Sequence, residues 1–332
     1  DDAGVRISWS SLSPIQIANL SIQNAGGIVG AGIDINGLNM SPINIENLHI
    51  KNCSSETAGG AIKVTSNNQI VSIENVLIEN NDASAGGGIY FSPFGDGSNS
   101  SLTISNTILK QNSTISRGGG IWINNGSNLS ITNSEFVSNS AEEIGGGIYS
   151  HNGVLGSVFE TQIRNNIAPE GAGFFIETSS FDIERSVFYA NEGGHGSALE
   201  MFQSNVNVVN SNFINNMNNN EWGLNSGAIF FNSSPSTFEL INSVVANNAD
   251  FEIIGQYPND GTNELFIDYS SIQGGNNFLF SGNSNVTWGS GNIELDPLFV
   301  DFENNNYQLQ QDSPLIDAGH PDSLDIDGTR SD

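Results

Sequence analysis

The chain has 332 residues, with 36 Asp and Glu against 8 Lys and Arg, for a formal charge of −28. Nucleic acid and anionic membrane surfaces are excluded as partners, because both are held through cations that displace counterions. A single cysteine, Cys53, rules out an intrachain disulfide, no Cys/His cluster offers a zinc or iron site, and no apolar run reaches the roughly 18 residues of a transmembrane helix.

Along the chain a unit of the form Asn-x-x-apolar-x-x-Asn recurs. It is complete at Asn75/Ile78/Asn81, Asn106/Leu109/Asn112, Asn133/Phe136/Asn139, Asn210/Phe213/Asn216 and Asn242/Val245/Asn248. Degenerate copies begin at Asn19, Asn47, Glu160, Arg185 and Tyr269, and the ten first positions give a mean step of about 28 residues, within the solenoid range. Before each copy, apolar residues alternate with polar ones, as in Val71/Ile73, Leu102/Ile104 and Leu129/Ile131. After it come small residues and a second alternating run: Gly59-Gly60-Ala61-Ile62, Gly86-Gly87-Gly88-Ile89, Gly118-Gly119-Gly120-Ile121 and Gly145-Gly146-Gly147-Ile148. Period-2 alternation without a helical period predicts about three short strands per unit. The reading is an all-β, single-stranded, right-handed parallel β-helix of about ten coils, a solenoid over residues 1–290. The right hand follows the rule for parallel crossovers. Residues 291–332 form an irregular segment expected to close the end of the rod, and the stretch Met217 to Asn225 is expected to protrude as a loop.

The Asn columns have a structural reading. Asn tolerates left-handed turns, and its amide can bond the equivalent group one coil away. Glu160 and Arg185 replace Asn on adjacent rungs and predict an ion pair.

The tetrapeptides Gly59-Gly60-Ala61-Ile62, Phe136-Val137-Ser138-Asn139, Phe188-Tyr189-Ala190-Asn191 and Phe213-Ile214-Asn215-Asn216 resemble the GGAI and FxxN repeats of the polymorphic outer membrane protein family. That resemblance covers roughly residues 15–248 and implies a bacterial surface β-helix, often an adhesin. Asp296-Pro297-Leu298-Phe299, Ser313-Pro314-Leu315-Ile316-Asp317-Ala318-Gly319 and Asp325-Ile326-Asp327-Gly328 are similar to the C-terminal segment of secreted bacterial β-helix proteins, in which more chain usually follows. The implied location is extracellular or the cell surface, in a longer chain or assembly.

The residue after each GGGI apolar position should point outward, giving the column Asp34, Lys63, Tyr90, Trp122, Tyr149, Phe175, Glu200, Phe230. Its members Tyr90, Trp122, Tyr149, Phe175, Glu200 and Phe230 are the expected ligand-binding residues, since an exposed aromatic row suits a neutral glycan or a surface protein. No catalytic residue is assigned. Arg117, Arg164 and Arg185 occupy three different repeat positions, so no basic cluster of the kind used by uronate lyases is expected. Gly194-His195-Gly196 echoes a motif of polygalacturonase-like hydrolases, but its partner motifs are missing and His195 reads as an incidental loop residue. The acids Glu56, Asp82, Glu142, Glu143, Glu170 and Glu192 fall in turns and read as solvated surface. Asp325, Asp327 and Asp332 are the candidate ligands for a structural Ca2+, hard oxygen donors that satisfy only part of a calcium-loop spacing. The favoured reading is a module that binds or displays in the manner of an adhesin. The alternatives are a polysaccharide-degrading lyase or glycoside hydrolase, which would release new chain ends, and a structural stalk.

Overall fold

The computed structural model describes residues 4–8, 13–28, 32–37, 41–95, 97–218, 227–248, 251–255, 262–275, 279–280, 284–301, 304, 306–324 and 328–331. One coil is representative. Asn128–Thr132 runs in a first sheet, B, Glu135–Val137 in C, Ser140–Ala141 in D and Ile148–His151 in A. Each strand pairs in parallel with its equivalents one coil before and one coil after, so among the described residues sheets A, B, C and D hold eleven, eleven, ten and eight strands. The chain is a parallel solenoid of the expected size.

The short strands follow from the alternation. Leu129 and Ile131 in sheet B, Phe136 in C and Ile148 in A point inward and are buried, and together with their equivalents they form one continuous apolar core. Between sheets B and C the chain turns through one left-handed residue per coil. All ten first positions of the repeat have positive φ, from Asn19 at 59° to Tyr269 at 47°, including Glu160, Arg185 and Tyr269. Asn is the side chain other than Gly that visits this region most readily, and that accounts for its prevalence here.

The second Asn of the repeat has a different task. The left-handed residue at the C–D corner is the one before it, for example Asn80, Gln111, Ser138 and Asn165. The second Asn itself is buried. Asn139 donates from Nδ2 to the Leu109 carbonyl and to Asn166 Oδ1, both at 3.0 Å, while its Oδ1 accepts from the amide and side chain of Asn112. The same bonding runs from Asn81 through Asn112, Asn139, Asn166, Asn191 and Asn216 to Asn248. Glu160 and Arg185 pair at 3.7 Å, as their positions predict.

At the start of the C-terminal segment Ile293 adds a last parallel rung beside Ser271 at the end of sheet C, and the later described part lies along the flank of the rod. Phe299–Asp301 and Asn306–Leu309 form an antiparallel hairpin. Tyr307 of that hairpin meets Tyr189 at a centroid distance of 5.9 Å, and the hairpin, with Leu315 and Ile316, lines an open groove of about 420 Å³ against Asn212 and Val244 of sheet C. Farther along, the His320 amide donates to Asn242 Oδ1 at 2.6 Å and Arg330 lies over the Tyr269 ring. The segment takes this course because Tyr307, Phe299 and Leu315 have apolar area to bury and the outer face of sheet C offers Tyr189 and Val244. Residues 219–225 of the expected protruding loop lie outside the described residues.

Candidate functional site

The outward column of sheet A exists in the expected register. Asp34, Lys63, Tyr90, Trp122, Tyr149, Phe175, Glu200 and Phe230 are successive partners along the rod. Its exposure differs from the expectation. Tyr90 and Trp122 are half-buried, whereas Tyr149, Phe175, Glu200 and Phe230 are buried. Nor do the rings form a flat platform. Tyr90 to Trp122 and Trp122 to Tyr149 each pack edge to face at 71°, and Tyr149 to Phe175 is tilted by 54°.

The reason for burial is the connection from sheet D to sheet A, which folds back onto the column. A Cβ at Gly171 would lie 2.6 Å from the Phe175 Cβ, and one at Gly196 would lie 2.6 Å from the Glu200 Cβ; both glycines also have positive φ. Only glycine allows the backbone so close in that conformation. The residue before each such glycine is thereby set along one edge of the column, and Arg117, Ile144, Glu170 and His195 are successive partners there. On the other edge, two residues further along each strand, stand Asn124, His151, Glu177 and Phe202. The result is a three-column strip in which the edge side chains cover the middle one.

Polar contacts cross this strip. Arg117 Nη1 donates to the Tyr149 hydroxyl at 3.1 Å, and that hydroxyl donates to Glu177 Oε2 at 2.5 Å. His151 Nδ1 lies 3.3 Å from the same carboxylate oxygen. Burial pushes Glu177 up, but the His151 and Tyr149 contacts and the Arg117 charge outweigh it and leave its carboxyl below the ordinary range. Across the strip, on the same coil, Glu170 goes the other way. Burial raises it, with Glu177 adding to the rise and His195 and Arg117 opposing it. The Tyr149 hydroxyl is raised by burial and by its bond to Glu177, so it acts as a hydrogen-bond donor and not as a base.

One coil on, Glu200 is fully buried between Phe175 and Phe230 in the middle column. Burial and the neighbouring Glu170 hold it well above the ordinary carboxylate range. Its Oε1 accepts from Asn232 Nδ2 at 2.7 Å. Asn232 is the additional residue of a β-bulge between Met201/Phe231 and Phe202/Ser233, a device that re-aims a side chain out of the regular ladder. His195 stacks flat on Phe230, with centroids 4.7 Å apart and planes 5° apart.

Of the six expected ligand-binding residues, the strip therefore brings all into one line but leaves accessible surface mainly on Tyr90 and Trp122. Glu170 and His195, read as solvated and incidental, are half-buried members of the strip, and Arg117 joins them. Glu177 and His151 were missed. They occupy one repeat position on adjacent coils, two residues beyond the aromatic column, so extending the alternation by one outward step would have found them. Asp325, Asp327 and Asp332 lie outside the described residues. Among the described residues no group of three His, Cys, Asp or Glu side chains could hold a metal ion, and no helix is long and apolar enough to cross a membrane.

A family profile described as a right-handed beta helix region matches residues 2–168 and 98–248. The chain belongs to the right-handed β-helix family. This β-helix family includes both polysaccharide-degrading enzymes and adhesin-like proteins. Searches of curated proteins and of solved structures find no match to this β-helix.

Proposed function

We propose that this β-helix binds a neutral polysaccharide along the strip on sheet A and hydrolyses it, with Glu170 as the acid and Glu177 as the base. The observation that carries the reading is the pair itself. Two carboxyls stand on opposite edges of the strip in one coil, and their surroundings drive them in opposite directions, Glu170 up and Glu177 down. Divergent surroundings of this kind are how a site assigns acid and base roles to chemically identical groups. Glu170 gives its proton to the glycosidic oxygen as the bond to the anomeric carbon breaks. Glu177 takes a proton from the water that attacks that carbon, and Tyr149, Arg117 and His151 keep it ionised and oriented. A neutral polymer is favoured because a chain of net charge −28 repels polyanions. The resemblance of the repeats to surface β-helices supports a polymer met outside the cell or at its surface.

Adhesin-like retention without cleavage is the second reading, favoured by the accessible surface left on Tyr90 and Trp122. The two separate by measuring new reducing ends and polymer retention over a panel of neutral polysaccharides. Hydrolysis should appear with the wild type and fall by about 10²–10⁴-fold in Glu170→Gln and Glu177→Gln, with retention kept. Retention without any release of ends, lost in Tyr90→Ala/Trp122→Ala, would replace hydrolysis with binding.

A further inference from the structure

On the coil of Tyr90 the outward face runs on past the edge of the strip. Burial keeps alternating after Tyr90, with Phe91 and Pro93 buried and Ser92 half-buried, and this brings Phe94 outward with 65% of its surface exposed. A ring left that open buries little apolar area for the fold. Its pedestal is nonetheless held. Pro93 fixes the backbone before it, the Asn125 side chain of the next coil donates to the Pro93 carbonyl at 2.9 Å, and the Ser92 amide donates to the Val64 carbonyl of the previous coil at 2.9 Å. On the coil after Tyr90 stand two polar atoms of opposite kind. Trp122 Nε1 is a donor and Asn124 Oδ1 an acceptor, and both are buried without a hydrogen-bond partner. The two residues are outward neighbours on the strand Ile121–Asn124, and Trp122 packs edge to face on Tyr90 with centroids 5.2 Å apart. A hydroxyl group both donates and accepts, so one hydroxyl between them would satisfy both.

We propose that Phe94 and Tyr90, with Trp122 and Asn124 on the next coil, form a distal sugar subsite: Phe94 is a stacking platform for a sugar ring, and the Trp122 side chain turns to take one of its hydroxyls together with Asn124. Binding at this subsite stands by itself, and its consequence for cleavage rests on the hydrolytic reading. Tyr90 and Phe175, which the acid pair flanks, are three coil steps apart, or about 14 Å along the rod. A sugar ring in an extended chain advances by about one coil step, so the subsite holds a sugar roughly three units from the bond that breaks. The substrate is then a polymer cut within the chain, and oligosaccharides too short to span the three coils gain nothing from Phe94. The subsite adds binding that is the same before and during bond cleavage, so it acts on KM and leaves kcat alone.

Two readouts on the full chain test this with xylan, mannan, β-glucan, starch and oligosaccharides of graded length cut from each. The first is binding, followed by calorimetry in a Glu177→Gln background so that no probe is consumed. At least one polymer should bind. Phe94→Ala should weaken that binding by about 3–10-fold, Phe94→Tyr should keep it, and Trp122→Phe, which retains a ring but deletes the N–H, should weaken it by a similar factor. The second is hydrolysis by chains that keep Glu177. Phe94→Ala should raise KM for the polymer about 3–10-fold with kcat unchanged, and should leave kcat/KM for the shortest cleaved oligosaccharides at the wild-type value. Phe94 is exposed, so its variants should melt with the wild type, which separates lost binding from lost fold. Failure of every probe to bind would overturn the subsite, and so would a Phe94→Ala chain that binds each probe as the wild type does. A Phe94→Ala chain that lost kcat at unchanged KM would also overturn it, since the loop would then act on the acid pair. If the binding losses appear and no probe is cut by the wild type, the subsite stands and only the hydrolytic reading falls.

Discussion

Tyr149 is a floor residue whose hydroxyl is claimed from both edges, by Arg117 as donor and by Glu177 as acceptor. The two contacts act differently on the carboxyl pair, which gives a signed prediction. The Arg117 charge lowers both Glu177 and Glu170, whereas the Tyr149 hydroxyl lowers Glu177 and is no cause of the Glu170 shift. Hydrolysis requires Glu177 ionised and Glu170 protonated, so its pH profile is a bell with Glu177 on the acid limb and Glu170 on the alkaline one. Tyr149→Phe should therefore move only the acid limb to higher pH, because Glu177 becomes harder to ionise. Arg117→Met should move both limbs up. Measuring kcat/KM across the acid-to-neutral range for the two variants checks this, and a downward shift of either limb in Arg117→Met would contradict the electrostatics.

Strands and corners form the next level, and here the two Asn columns separate into two physical roles. Asn133 is exposed with φ of 46° and serves mainly to turn the chain, while Asn139 is buried and bonds two coils together. Asn133→Gly should be close to neutral, since glycine adopts that conformation freely. Asn139→Leu should cost roughly 2–5 kcal/mol, because the Leu109 carbonyl and the Asn112 amide lose their partner in the core. Urea unfolding of both variants measures the difference, and equal midpoints would refute the division. Register was legible in the sequence: the Gly-Gly-Gly-Ile landmarks place Tyr90 opposite Trp122 and Trp122 opposite Tyr149 with no structure in hand. Burial was not legible, because Tyr149 is covered by Arg117, 32 residues earlier, and by Glu177, 28 residues later. A one-dimensional period gives each column but not how side chains lean between columns. The hydroxyl ladder at the B–C corner was also missed. There Thr107 accepts from the Val76 amide and Ser134 from the Thr107 amide, in positions that look like ordinary polar turn residues.

For the molecule as a whole the governing quantity is the charge. Cations are few and used locally: Arg6 faces Asp34, Lys110 faces Glu79, Arg164 faces Glu135 and Arg185 faces Glu160, each within 4 Å. Such pairs are partly exposed and contribute little each, so they do not offset the excess of 36 acids over 8 bases. Stacking coils about 4.8 Å apart brings those acids closer together than they are in an unfolded chain, so self-repulsion weighs on the folded rod more than on the coil. Salt relieves it. Raising NaCl from about 10 mM to about 150 mM shortens the screening length from roughly 30 Å to roughly 8 Å, and the melting temperature should rise over that interval. Binding of a neutral polysaccharide should not change over the same interval, because its hydroxyls carry no charge to screen. Calorimetry and a retention assay in the same buffers test the pair of outcomes together. A melting temperature indifferent to salt would mean that the acids repel one another as strongly in the unfolded chain. Retention that weakened with salt would point instead to a charged ligand held by the few cations of the strip, Arg117 first among them.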